Sequence, residues 1–375
     1  MEFVRRWPYT FISVVAILTV VAAIAASSYT GVGLRDPEGF LGPAYIRLPL
    51  LAALMFLAGL IPAAIRRSGW KQIPRGVVEV IKHEWTLRRI LYICTGLLAF
   101  YICYVGYRNL KSVLPLLTDE VLWDTELAAL DLWMFGNVNP AFVFQDMFGT
   151  GISAAVLSFV YLIYLPVVPI SLGVVLVFSR DLTVGAWYAT AMSLNWIVGT
   201  VSYYILPAVG PIYYEGTQWA YAALPETNTS ALQDALWRNR ETFLADPAGA
   251  DVIHGVAAFA SLHCSVTFTM ALFAHLVIKN KLLRIVGWAF FGLTFIATLY
   301  FGWHYLVDSL AGVLIGWLCV AVGAWATGNW WAKRRTLKSD LTEIDQDDDA
   351  SSDDSPADHE TASTPVRGLA ARSAG

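Results

Sequence analysis

Polar residues in this chain fall into clusters, and between the clusters run long blocks of almost unbroken apolar sequence. Eight blocks stand out, at about 10–27, 48–65, 90–107, 154–178, 183–206, 262–279, 285–302 and 305–327. Each is near the roughly twenty residues that a helix needs to cross a bilayer core. The pattern predicts an all-α polytopic membrane protein with about eight transmembrane helices. Pro166 and Pro169 fall inside the fourth block and predict a kink or a break there. Two longer segments of mixed polarity, 107–151 and 207–260, interrupt the series, and the first reads as interfacial or re-entrant helices. The expected organisation is two N-terminal transmembrane helices (1–65), a basic cytoplasmic linker (66–89), a six-helix membrane domain (90–335) and an acidic tail (336–375).

Composition agrees with a membrane protein. Of 375 residues, 57% are hydrophobic and only 14% charged, against about a quarter charged in soluble domains. The net charge of −4 misleads, because the acidic residues concentrate in the last forty positions (SDLTEIDQDDDASSDDSPADHE). That tail is poor in apolar residues and reads as disordered. Arg5 and Arg6 precede the first block as in a signal peptide, but no convincing small-residue cleavage site follows, so the block reads as a retained helix. The four cysteines, Cys94, Cys103, Cys264 and Cys319, form no CxxC pair. They imply neither a metal site nor a disulfide framework. No cofactor and no nucleic-acid partner is expected.

The basic residues set the orientation. With the N-terminus placed in the cytoplasm, seventeen Lys and Arg fall on the cytoplasmic side. Six fall opposite: Arg35, Arg47, Arg108, Lys111, Arg238 and Arg240. Such an asymmetry puts both termini in the cytoplasm. The sixth and eighth blocks then both begin at the extracytoplasmic face, which brings His263 and His304 to one side of the membrane.

Two short stretches carry the candidate chemistry. In FASLHCS, residues 259–265, Ser261 stands where a helix N-cap belongs, and the first turn behind it offers unpaired N–H groups that favour an anion. In GWHYLVDSLAG, residues 302–312, His304 and Asp308 lie one helical turn apart. A carboxylate there can hold the ring tautomer and raise the basicity of the other nitrogen. Taken alone, the HxxxD pair is equally readable as a structural contact. Ionisable groups within membrane spans are costly, however, and usually mark function. Two histidines and a carboxylate at one face, with cations nearby, can move a phosphoryl group. His275 and His254 serve as internal comparisons, the first structural or interfacial and the second in the outer loop. Cys264, beside His263, reads as a small packing residue.

FASLHCSVTF followed by YFGWHYLVDSLAG resembles the second and third motifs of the type-2 phosphatidic acid phosphatase superfamily. The resemblance spans about 90–327. It is closest to the branch of inositol phosphorylceramide synthases and bacterial inositol phosphotransferase-like proteins, which also have SLH where the phosphatases have SGH. It implies a six-helix lipid-phosphatase-like bundle, here preceded by two extra helices, in a bacterial plasma membrane with its active site outside. It implies that His304 is the nucleophile that becomes phosphohistidine and that Asp308 orients it. His263 is then the general acid and later the base, and Ser261 contacts phosphate oxygens.

The departures from the family pattern matter as much. The third-motif Ser-Arg is Ala297 and Thr298 here, the second-motif Pro is Ala260, and the first motif is absent. A transferring phosphoryl group needs cations, and Arg108 with Lys111, three apart on one helical face, are the expected replacements. Arg238 and Arg240 are second choices. Three functions follow. The first is transfer of a phosphoryl or inositol-phosphate-type head group from a phospholipid or polyprenyl phosphate to a lipid or sugar alcohol. The second is a phosphatase using water on phosphatidate or polyprenyl phosphate. The third is a proton-coupled transporter or flippase with His304 and Asp308 as relay. The topology is checked by single cysteines introduced through 207–260. They should react with a membrane-impermeant maleimide in intact cells, and reaction only after permeabilisation would invert the orientation.

Overall fold

The computed structural model describes residues 7–37, 44–119, 121–179 and 181–330. Arg5, Arg6, Arg180, the basic run Lys333–Lys338 and the acidic tail lie outside the described residues. Thirteen α-helices and two short 3-10 turns, with no strand, make up the described chain. Each of the eight apolar blocks is a helix. They are α1 (Thr10–Thr30), α2 (Ala44–Ser68), α4 (Leu87–Ser112), α8 (Ile152–Phe178), α9 (Leu182–Ile205), α11 (Leu262–Val277), α12 (Lys281–Tyr300) and α13 (Leu306–Ala326). The others are α3 (Ile73–Glu84), α5 (Leu114–Leu117), α6 (Asp124–Met134), α7 (Pro140–Phe148) and α10 (Asn228–Ala245).

Five helices, α1, α4, α8, α12 and α13, are by themselves long and apolar enough to cross a membrane. The protein is therefore an all-α polytopic membrane protein. Helix α9 owes its lower hydropathy to its position. It is buried along almost its whole length, between α4 and α13, and several of its polar residues bond to protein. Ser193 donates to the Ala189 carbonyl at 2.8 Å, and Asn195 donates to the Ala191 carbonyl and to Thr269 on α11. A backbone or side-chain polar group left unpaired in hydrocarbon would cost several kcal/mol.

Two expectations change. Helix α8 is not broken at Pro166 or Pro169 but runs as one helix of 27 residues. The neighbours packed on a membrane helix can absorb the two missing donors. The 66–89 segment is not a plain linker, because it contains α3. There, Gly76 lies so close to α2 that a Cβ would meet the Ala64 carbonyl at 2.5 Å. The two N-terminal helices also join the bundle, with Tyr9 of the α1 approach edge-on to Tyr92 of α4 at 5.8 Å.

Between α4 and α8 the described residues form only short helices, α5, α6 and α7. With α10 they cover the end of the bundle where α4 finishes and α11 and α13 begin. At that end α11 and α13 approach closely. A Cβ at Gly312 would stand 2.4 Å from the Ser261 carbonyl, and one at Gly316 would stand 2.5 Å from that of Ser265. Small residues four apart let two membrane helices touch backbone to backbone. Gly312→Ala should force them apart, costing about 1–3 kcal/mol and lowering the thermal midpoint in detergent. A wild-type midpoint would show that the contact is not tight.

Candidate active site

Both sequence motifs reach the site through helix starts. Ser261 caps α11, its hydroxyl accepting from the Cys264 N–H at 3.4 Å. Its own N–H donates to the Asp308 carbonyl of α13 at 3.0 Å. That backbone bond ties the turn bearing His263 to the turn bearing His304. The two imidazole rings lie 6.1 Å apart, centroid to centroid.

The His304 tautomer follows from its partner. Nδ1 lies 2.8 Å from the Ala258 carbonyl, which has no proton to give, so Nδ1–H is the donor. Nε2 then carries the lone pair and is the nitrogen available to the chamber that His304 lines. The sequence reading gave this holding role to Asp308. The structure gives the direct hydrogen bond to Ala258 and leaves the Asp308 carboxylate 3.7 Å from Nδ1, beyond hydrogen-bond range. Asp308 instead accepts from the Tyr305 N–H at 2.9 Å. Burial, followed by the nearby Lys111 charge, pushes the His304 pKa down to about 3, against the Ala258 bond, which favours the proton. The ring is therefore neutral at physiological pH.

His263 is clasped between aromatic rings, stacked on Tyr161 at 4.4 Å and leaning on Tyr164 at 4.3 Å. Tyr161 stacks in turn on Trp303, next to His304, at 5.1 Å. These tyrosines were not singled out by the sequence reading, since nothing in an apolar block distinguishes a core tyrosine from one at a site.

Arg108 and Lys111 line the same chamber as the two histidines. Lys111 is buried, with its ammonium 4.8 Å over the Tyr203 ring and 5.8 Å over that of Tyr107. Among the described residues neither cation has an ion-pair partner. Arg35 also lines the chamber and donates to the Val252 carbonyl. The sequence reading had used Arg35 only to count charge. The second-choice cations lie elsewhere. Arg238 is exposed, and Arg240 donates to His254 Nε2 at 3.2 Å.

His254 is fully buried behind the chamber wall, donating from Nδ1 to the Lys111 carbonyl at 3.3 Å and from its N–H to Ser112. Burial, then the Arg240 charge, pushes its pKa down to about 3. It straps the 251–257 loop to the end of α4. His275 packs edge-on to Trp288 at 6.2 Å, lower on α11. Ser261 is wholly buried and does not line the chamber, so its hydroxyl serves the α11 cap. Thr298, where the phosphatases carry Arg, is also buried. Its carbonyl accepts from Trp303 at 2.9 Å and from His304 at 3.4 Å, and Cys264 packs on its hydroxyl at 3.7 Å.

Two buried carboxylates beneath the site were missed. Asp124 accepts from the Tyr305 hydroxyl at 2.9 Å and from the N–H groups of Val209 and Gly210 at 2.9 and 2.8 Å. Asp131, seven residues on and on the same face of α6, accepts from the Leu306 N–H at 3.0 Å, at the start of α13. Burial raises the pKa of both, that of Asp131 to about 7. Their seven-residue spacing in a mixed-polarity segment was the available signal. Among the described residues no group of three or more His, Cys, Asp or Glu is placed to hold a metal ion.

Two histidines, two cations without carboxylate partners among the described residues, and a helix start around one chamber suit an anionic substrate that reacts at phosphorus. Comparison with known proteins points the same way. The family model described as the PAP2 superfamily matches residues 125–322, a stretch that contains both histidine motifs. No curated protein and no solved structure matches the chain. The match covers more than half of the sequence, and the chain belongs to the PAP2 superfamily of membrane phosphatases and phosphotransferases.

Proposed function

We propose that this protein is a lipid phosphotransferase that moves a phosphoryl or inositol-phosphate-type head group through a phosphohistidine on His304. The observation that carries the reading is the pair Arg108 and Lys111. They are two cations without carboxylate partners among the described residues, in the chamber that both histidines line. In the first step Nε2 of His304 attacks phosphorus, the bond to the leaving oxygen breaks, and His263 gives that oxygen its proton. Positive charge grows on the His304 ring, where the Ala258 carbonyl and the Asp308 carboxylate 3.7 Å away offset it. Lys111 and Arg108 offset the charge on the phosphoryl oxygens. In the second step His263 takes a proton from an acceptor hydroxyl, whose oxygen attacks phosphorus and breaks the N–P bond.

Cover favours an alcohol acceptor over water. His304 is only 6% exposed, and His263 lies under two tyrosines, so the phosphohistidine meets little bulk water. Phosphatase action on phosphatidate or polyprenyl phosphate uses the same groups with water as acceptor. A transporter would lean on discontinuous helices, whereas α8 runs unbroken through both prolines. The chain sits, on this reading, in a bacterial plasma membrane with both termini in the cytoplasm and the chamber facing outside, where the positive-inside asymmetry puts it.

His304→Ala should lower turnover by about three orders of magnitude or more. Labelled phospholipid should leave acid-labile, base-stable phosphate on His304 of the wild type, and label on Cys264 instead would overturn the scheme. With alcohols supplied, new phosphate ester (a monoester from phosphoryl transfer, a diester from head-group transfer) should exceed released phosphate; phosphate alone would make the protein a phosphatase. Lys111→Met should lower kcat/KM by about 10²–10³. Removing that charge lets His304 protonate at higher pH, so the acid limb of kcat/KM should move upward. An unmoved limb would separate Lys111 from the nucleophile.

A further inference from the structure

The hydrocarbon core of a bilayer offers no water to a polar side chain, so a buried hydroxyl or indole N–H in a membrane protein is expected to find a protein partner. Most do here. Tyr188 meets the Ser171 hydroxyl at 2.8 Å, Tyr300 donates to the Gly149 carbonyl at 2.8 Å, and Tyr305 donates to Asp124 at 2.9 Å. The indole N–H of Trp187 donates to the Val320 carbonyl at 2.8 Å. Two donors beside the histidines break the rule. The Tyr164 hydroxyl and the Trp303 indole N–H are buried, and among the described residues neither has a hydrogen-bond partner. Tyr164 is 4% exposed and Trp303 8%. Both residues line the chamber with His263 and His304. The hydroxyl of Tyr9 is orphaned too, but Tyr9 is not part of the chamber wall. Trp196 lines the chamber from α9 with an orphaned N–H, stacked on Tyr107 at 5.1 Å.

Contact with the histidines singles out Tyr164 and Trp303. The Tyr164 ring leans on His263 at 4.3 Å. Trp303 directly precedes His304 and stacks on Tyr161 at 5.1 Å, and Tyr161 stacks on His263 at 4.4 Å. One aromatic cluster thus frames His263 and carries both unused donors. A buried donor without an acceptor costs stability, and a ligand that brings an acceptor removes that cost. In a water-poor chamber, neutral donors set beside developing negative charge act strongly. A phosphoryl group in transfer spreads such charge over three equatorial oxygens.

Building on the phosphotransfer reading above, we propose that the Tyr164 hydroxyl and the Trp303 indole N–H donate to phosphoryl oxygens of the substrate, alongside the charges of Arg108 and Lys111. Both groups keep their protons, and no covalent bond to either forms or breaks. They supply neutral hydrogen bonds in a site where Thr298 stands in place of the phosphatases' Arg.

The signature is a loss of binding without a loss of stability. Tyr164→Phe keeps the ring on His263 and deletes only the orphaned hydroxyl. In the full-length protein in detergent, its thermal midpoint without phosphate should equal or exceed that of the wild type. Inorganic phosphate, at fixed ionic strength, should raise the wild-type midpoint. The dissociation constant drawn from that rise should be about tenfold weaker in Tyr164→Phe and in Trp303→Phe. With dioleoyl phosphatidic acid or phosphatidylinositol as substrate, Tyr164→Phe should lower kcat by about 10². The acid limb of its pH profile should stay in place, because no charge is removed, in contrast to Lys111→Met. Unchanged phosphate affinity in Tyr164→Phe would overturn the proposal, and a lower midpoint alongside it would make the hydroxyl a structural group. A wild-type midpoint that phosphate does not move would overturn it as well. Phosphate affinity that depends on Tyr164, in a protein whose wild type turns over neither lipid, would leave the anion site standing and remove the phosphotransfer reading.

Discussion

The bond from the Ser261 N–H to the Asp308 carbonyl joins two helices that start at the same end of the bundle, and the site is assembled around it. It forms only because Gly312 and Gly316 let the α13 backbone touch that of α11. With that contact made, His263 and His304 are 6.1 Å apart and face one chamber. A side chain at either glycine would keep both motifs and lose their relation. The geometry of the two histidines is therefore a consequence of helix packing, to which each motif contributes half.

Hydrogen bonds to backbone hold the remaining pieces. The Ala258 carbonyl fixes which nitrogen of His304 carries the proton. Asp124 and Asp131 hold the turn from Tyr305 to Leu306 from below, so that the loop between α12 and α13 has side chains as its partners where helix bonds end. The carbonyl of Thr298 accepts from the same loop. The position that carries a phosphate-binding Arg in the phosphatases thus serves loop geometry here. Arg108 and Lys111, from α4, supply positive charge from the opposite wall.

That shift of charge from one wall to another bears on the chemistry. Arg108 and Lys111 on α4 bring two cations to the chamber that His304 lines. Helix α10 and the 251–257 loop cover the chamber at that end of the bundle. Arg240 and His254 brace that cover against the end of α4.

Much of the fold was legible in the sequence, because a bilayer demands helices of a set length and apolarity. The eight apolar blocks are eight helices, and SLH and HxxxD marked the two histidines that meet at the chamber. Other features depended on neighbours that no local pattern reveals. Pro166 and Pro169 suggested a kink or a break, and α8 runs as one helix through both. HxxxD suggested that Asp308 holds the ring, whereas a carbonyl 46 residues away does so. Nothing local marks the roles of Tyr161, Tyr164, Asp124 or Asp131, whose partners lie on other elements. The sequence by itself determined which segments form apolar helices and which residue types can handle phosphate, since both follow from local composition and spacing. Tertiary structure alone decided the tautomer of His304 and the placement of the cations around the chamber. Each of these is a contact between segments far apart along the chain.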